Sequence, residues 1–379
     1  MMKHHVVLGL AATALLSLAI PLWAHHGMAA FYDDKKSVAL KGTVTKYDWT
    51  NPHVWVYVDV PEAGGKVSTW EVEFDSKIEL KRIGWTRDSL SVGDQVTIDA
   101  NPARDGRKRG GGKSIAIGGG KKLLSVALAP AAARPAPAAA KGTPRWPDGH
   151  PRLGAMAGAL GYWVNYDGGG LYDSTAGTIR MNRDGLLANI NDAGKVAPFQ
   201  PWSKGLYEYR QKNLLKDDPM GFCLPAGGPR QFQVPYGLGI LEDPDRKRIF
   251  FISGGANRNW RLIYWDGRPV PEIDDAPLTY FGNSVGHWEG DTLVSTAQGF
   301  LERFWFTNGG LPHSESLKLT ERFSRPDFNT LRYEVTVDDP GTYTRPWGNS
   351  WTLQWVANQE MEEYYCDEYN RESERQEVR

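Results

Sequence analysis

The residues best suited to metal chemistry lie near the start of the chain. His25-His26 follow Ala24, a small residue that ends a run with Lys3 as its positive start and residues 6–22 mostly apolar. That is the pattern of a secretory signal over residues 1–24. Cleavage there makes His25 the first residue, and an N-terminal His offers a metal both its amine and a ring nitrogen. Nitrogen donors of this kind suit Cu(II). Copper is therefore the metal expected of a site built from His25, His26 and His53. The competing expectation is a flexible start, with His53 hydrogen-bonded at the beginning of a strand.

Acid/base chemistry points elsewhere. Glu321 shares its two-residue spacing with Leu319 and Phe323, so it belongs on the buried face of a strand. A buried carboxylate has to find partners or take up a proton. Arg261, Arg268 or Arg322 would make it half of a structural ion pair. With His313 and Tyr264 it would be the acid or base of a barrel cavity, the chemistry of a lyase, isomerase or hydrolase. Gly282-Asn-Ser284-Val-Gly286 fits G-x-S-x-G, but a nucleophile elbow needs a helix after the serine and this one precedes a hairpin. There is no phosphate loop, dinucleotide fingerprint, H-E-x-x-H or C-x-x-C, which argues against nucleotide cofactors and the familiar zinc hydrolases. The 15 tryptophans among 379 residues suit barrel interiors and ligand cavities alike. Trp288 and Trp347, with Arg268, are the residues expected to line a cavity.

The elements that hold these residues read as strands. Residues 284–297 form two short strands about Glu289-Gly-Asp. Residues 317–323 and 331–337 alternate apolar and polar positions around a Pro-Asp-Phe-Asn turn. Strict period-2 alternation means one buried face and one wet face, and consecutive hairpins build an antiparallel meander. Earlier in the chain, strands are expected at 38–47, 53–60, 68–74 and 95–100, with a short helix within 76–85. That is the inventory of a small OB-like barrel. Residues 101–150 carry ten Lys or Arg against two acids, and residues 127–140 are almost all Ala and Pro, the composition of a linker. The expected domains are 25–126, a linker over 127–150, a larger barrel over 151–371 and a charged tail over 372–379. Removing Lys3 takes the net charge from −1 to −2, which gives nucleic acid no general attraction. After cleavage no later stretch would hold the chain in a membrane. Cys223 and Cys366 are the two cysteines, and an oxidising compartment would join them as a disulfide.

Several local motifs carry a resemblance. His25-His26, Lys41-Gly-Thr-Val-Thr, Trp49-Thr-Asn-Pro-His53-Val-Trp and Gly84-Trp-Thr-Arg-Asp-Ser-Leu resemble a family of exported bacterial domains of unknown function, over roughly residues 25–125. The segment 107–122 departs from it and reads as a lengthened loop or loosened last strand. Gly286-His-Trp-Glu-Gly-Asp-Thr-Leu-Val, Thr320-Glu-Arg-Phe and Asp338-Asp-Pro resemble a second uncharacterised exported group. The resemblances imply export to the periplasm and bring no activity. The expectation is an all-β protein, a small OB-like barrel followed by a larger lipocalin-like antiparallel barrel. Its leading function is binding a small apolar or aromatic ligand in the C-terminal barrel. The alternatives are acid/base catalysis on such a ligand and copper binding by the N-terminal domain.

Overall fold

The computed structural model describes residues 28–118, 120–125, 128, 142–166, 170–255 and 259–368. Residues 1–24, His25, His26, most of the Ala/Pro linker and the tail 372–379 lie outside that set. The fold is all-β with few helices, built as two closed barrels. The first follows a one-turn helix α1 (Met28–Phe31) and uses β1 (Val38–Asp48), β2 (Trp55–Pro61), β3 (Val67–Glu73), β4 (Gln95–Pro102) and β5 (Arg109–Ile117). A parallel β3–β5 pairing closes the ring, and the short β6 (Lys121–Leu124) continues on the edge of β5. Between β3 and β4 lies α2 (Lys77–Arg82), opened by a Ser-x-x-Glu cap in which Ser76 Oγ accepts from Glu79 N at 3.3 Å.

Residues 109–117, within the stretch expected to be a loop or loosened strand, instead form the strand that closes the small barrel. The glycines are why this strand fits. A Cβ on Gly112 would lie 2.4 Å from the Phe74 ring, and one on Gly111 would lie 2.9 Å from Tyr32. Large rings fill this barrel, and only glycine leaves them room. Phe74 in turn meets Trp85 at 5.0 Å, among Val44, Val56, Val58, Val72 and Ile98.

The second barrel has nine strands in sequence order. They are β7 (Gly161–Val164), β8 (Leu238–Asp243), β9 (Arg248–Ser253), β10 (Asn259–Tyr264), β11 (Asn283–Glu289), β12 (Thr292–Gln298), β13 (Lys318–Ser324), β14 (Thr330–Asp338) and β15 (Trp347–Ala357). The alternation expected along β13 and β14 is present, with Leu319, Glu321, Phe323, Leu331, Tyr333, Val335 and Val337 buried. A ring with an odd number of strands cannot alternate direction all the way round, so at least one neighbouring pair must be parallel. That pair is β10–β11, in register at Ile263↔Ser284 and Tyr264↔Val285. Here the barrel departs from a purely antiparallel one.

The irregular region before β8 contains α3 (Pro201–Lys212). Proline at its first turn suits a helix start, and Ser203, Tyr207 and Gln211, spaced by four, form its buried stripe. A following 3₁₀ turn, Gly228–Phe232, inserts Phe232 into the lumen. Its ring lies 4.3 Å from Tyr333, 5.4 Å from Phe323 and 5.7 Å from Phe251. Asp218 and Arg230, both buried, hold this turn through bonds of 2.7 and 2.5 Å.

Cys223 and Cys366 form the expected disulfide. A bridge across 143 residues removes loop entropy worth about 4–5 kcal/mol on the chain-entropy account. It ties the segment after β15 to the loop before β8. Among the described residues no helix is long and apolar enough to cross a membrane.

Candidate functional site

Glu321 points into the lumen, as its spacing requires, and is fully buried. Its carboxylate takes both terminal nitrogens of Arg261, one at 2.9 Å, and the Tyr333 hydroxyl at 2.8 Å. Arg261 also donates to Ser284 Oγ at 3.1 Å from Nε and 3.0 Å from Nη2. Ser284, the serine of the G-x-S-x-G match, therefore sits in a strand as an acceptor. Burial opposes the Arg261 charge, but the Glu321 charge prevails and raises its pKa. Burial, reinforced by Glu321, holds the Tyr333 hydroxyl well above its ordinary value, so it stays a donor. This is a closed ion pair with a neutral donor.

His313 lies apart from that network, and no hydrogen bond joins them among the described residues. Its ring is buried against Phe304 at 4.4 Å and Phe306 at 5.6 Å. Nε2 lies 3.1 Å from the Phe304 carbonyl and Nδ1 3.3 Å from that of Ser314. Burial lowers its pKa to about 4, leaving a neutral imidazole. Tyr264 ends β10, with the Arg268 guanidinium 3.7 Å over its ring, and Arg268 pairs with Asp266 at 2.7 Å. Trp347 is buried between Tyr343 and Phe306. Glu321, His313 and Tyr264 are thus three separate environments.

Trp288 has different company. With Trp146, His150 and Trp265 it lines a narrow recess, partly open to solvent and with free room for about one water molecule, at the rim where β10 and β11 end. Glu242, Arg248, Pro244, Ile249 and Asp148, whose carboxylate lies 3.1 Å from His150 Nδ1, complete the wall. The His150 ring stacks on Trp288 at 5.0 Å and 24° and meets Trp265 edge-on at 6.0 Å. Glu242 accepts from Trp146 Nε1 at 3.1 Å and from Gly154 N at 2.9 Å, and burial raises its pKa against those bonds. The turn that carries Trp146 and His150 is clamped by Arg145, whose two nitrogens reach Asp291 at 2.7 and 2.6 Å. Residues 142–150 thus lie against the large barrel. Trp146, His150 and Trp265 went unnoticed in the sequence, yet a signal was there. Trp146-Pro-Asp-Gly, Trp265-Asp-Gly and Trp288-Glu-Gly each place a tryptophan before an acid-Gly turn.

In the small barrel, the buried carboxylate of Glu73 takes His53 Nδ1 on one oxygen and the Tyr32 hydroxyl on the other, the latter at 2.5 Å. The His53 side chain is 28% exposed. Arg183 of the large domain pairs nearby with Asp75 and Glu79. No three His, Cys, Asp or Glu among the described residues are grouped to hold a metal ion.

Residues 12–112 match the model of a family of unknown function (DUF6152). The match spans the small barrel into β5, as the N-terminal resemblance anticipated. No curated protein and no solved structure matches the chain.

The Glu321 network should govern stability. Glu321→Leu leaves Arg261 buried and unpaired and should cost about 3–5 kcal/mol in denaturant unfolding. Adding Arg261→Met should restore most of it. Wild-type stability in Glu321→Leu would refute the role of the pair. His313 predicts a pH effect. An unfolded His titrates near 6.5, so between pH 6.5 and about 4 the unfolded chain holds a proton that folded His313 refuses. Stability should therefore fall as pH drops through that window, by roughly 3 kcal/mol from this group. The unfolding free energy of His313→Phe should vary less with pH there, and an unchanged profile would contradict it.

Proposed function

We propose that this is a binding protein whose C-terminal barrel takes a small aromatic ligand at the rim recess. The observation that carries the reading is the convergence of Trp146, Trp265 and Trp288, from three separate turns, on one recess with His150. Convergent apolar rings with a few polar groups are what small-molecule sites use. Acid/base catalysis has less support, because Glu321 and His313 are both engaged internally. Export to the periplasm fits the disulfide and the N-terminal pattern of residues 1–24, and the C-terminal half would belong to a second exported group. Quinoline or naphthalene, titrated against intrinsic tryptophan fluorescence, should bind saturably. Trp146→Ala and Trp265→Ala should each weaken binding about tenfold, and Trp202→Ala, at an exposed position of α3, should not. Absence of saturable binding, or affinity indifferent to Trp146 and Trp265, would refute the reading.

A second reading, copper binding by the N-terminal domain, is favoured by the Glu73–His53 bond. Metal-binding histidines commonly give their other nitrogen to a carboxylate, which sets the ring's orientation and basicity. Nε2 of His53 would then face the metal, with His25 and His26 as the remaining ligands. Protein starting at His25 should bind Cu(II) at least tenfold more tightly than its Glu73→Gln variant or its His53→Ala variant. Equal affinity in all three would end this reading.

A further inference from the structure

The recess already holds one planar ring, and it is the protein's own. The His150 imidazole lies nearly parallel to the Trp288 indole, 5.0 Å away, with Trp265 at its edge. This is the offset stack that a bound aromatic ligand would make. The polar groups of the recess are unevenly satisfied. Trp146 Nε1 has Glu242, and Arg248 has Asp243 at 2.9 Å. Trp288 Nε1 is shielded from solvent and has no hydrogen-bond partner among the described residues. A buried donor left unpaired is a standing cost, removed by any ligand that brings an acceptor to it.

Resting on the proposed ligand-binding role, we infer that the ligand is a planar heteroaromatic with a hydrogen-bond acceptor on its ring edge, that it accepts from Trp288 Nε1, and that it displaces His150. Imidazole holds the place of the ligand until one arrives. A site of this kind discriminates rings by their edges. A hydrocarbon gains only the stack, whereas a ring nitrogen also satisfies the indole N–H. Sites that leave a polar group unpaired against the wrong ligand discriminate best. Removing His150 removes the internal competitor.

Quinoline and naphthalene have the same shape, and the first carries the acceptor. Calorimetric titration at pH 7.5 should show wild-type protein binding quinoline about tenfold more tightly than naphthalene. His150→Ala should bind quinoline roughly fivefold more tightly still, and His150→Asn should agree with it. Trp288→Phe keeps a ring and lacks the N–H, so its affinities for the two rings should be equal. Equal affinity in wild type, a preference that survives Trp288→Phe, or quinoline binding weakened in both His150 variants would each overturn the inference while leaving aromatic binding intact. If neither ring binds any of these proteins, the parent reading fails with it.

Discussion

Nine strands in a closed ring impose a condition that four or eight would not. Direction cannot alternate around an odd ring, so two neighbours must run the same way. Here β10 and β11 do so, and they share two register positions, where the adjoining β11–β12 ladder shares seven. The seam is short, and side chains reinforce it. Arg261 of β10 reaches Ser284 of β11 and, past β12, the Glu321 carboxylate of β13, which Tyr333 of β14 also holds. Taking both charges out of water costs several kcal/mol each. That cost is offset only when the charged atoms find partners, as each side-chain nitrogen of Arg261 and each carboxylate oxygen of Glu321 does here. The ion pair and the seam depend on one another.

The same seam sets where a ligand can go. Parallel neighbours end at the same rim, so the residue following β10 and the one near the end of β11 come to lie together. Those residues are Trp265 and Trp288. In a fully antiparallel ring they would be at opposite ends. The lumen below is occupied by Phe232 and the rings of Phe251, Phe323 and Tyr333. Aromatic surface facing an opening is therefore a property of the rim.

What the sequence revealed was local. Alternation along β13 and β14 placed Glu321 inside, and the short helix expected within 76–85 is α2. Arg261 was one of three arginines named for Glu321, and period alone could not choose among them, since the choice depends on which strand lies across the lumen. The glycines at 110–112 read as a loop or a loosened last strand because their purpose is the size of Phe74 and Tyr32, residues far away in the chain. Phe232 belongs to a turn with no periodicity and packs inside a barrel formed by strands on either side of it in sequence. The recess was legible only as three similar turns; their meeting requires the parallel seam, which no local pattern announces. Arg268 and Trp347 were chosen by type, and type does not say which rim or core they join.

The disulfide, made within the large domain, also sits at the junction of the two barrels. Cys223 and Cys366 share a buried cluster with Tyr236, Tyr364 and Val234 of the large domain, and with Ile78 of α2 from the small one. Around it, Lys81 reaches Glu362 at 2.7 Å, Asn51 reaches Glu368 at 3.0 Å, and Arg82 donates to the Pro235 carbonyl. Glu362 and Glu368 lie beyond β15, on the segment the disulfide pins. Exposed ion pairs such as Lys81–Glu362 contribute little alone, so the buried contacts, Ile78 in this cluster and Arg183 on Glu79, carry more of the junction. Part of that cluster, Tyr364 and Cys366, lies on the segment the disulfide pins. The cross-link between Cys223 and Cys366 therefore supports a docking surface whose residues come from the middle and the end of the large domain, so a covalent bond within that domain braces the surface on which Ile78 of the small barrel packs.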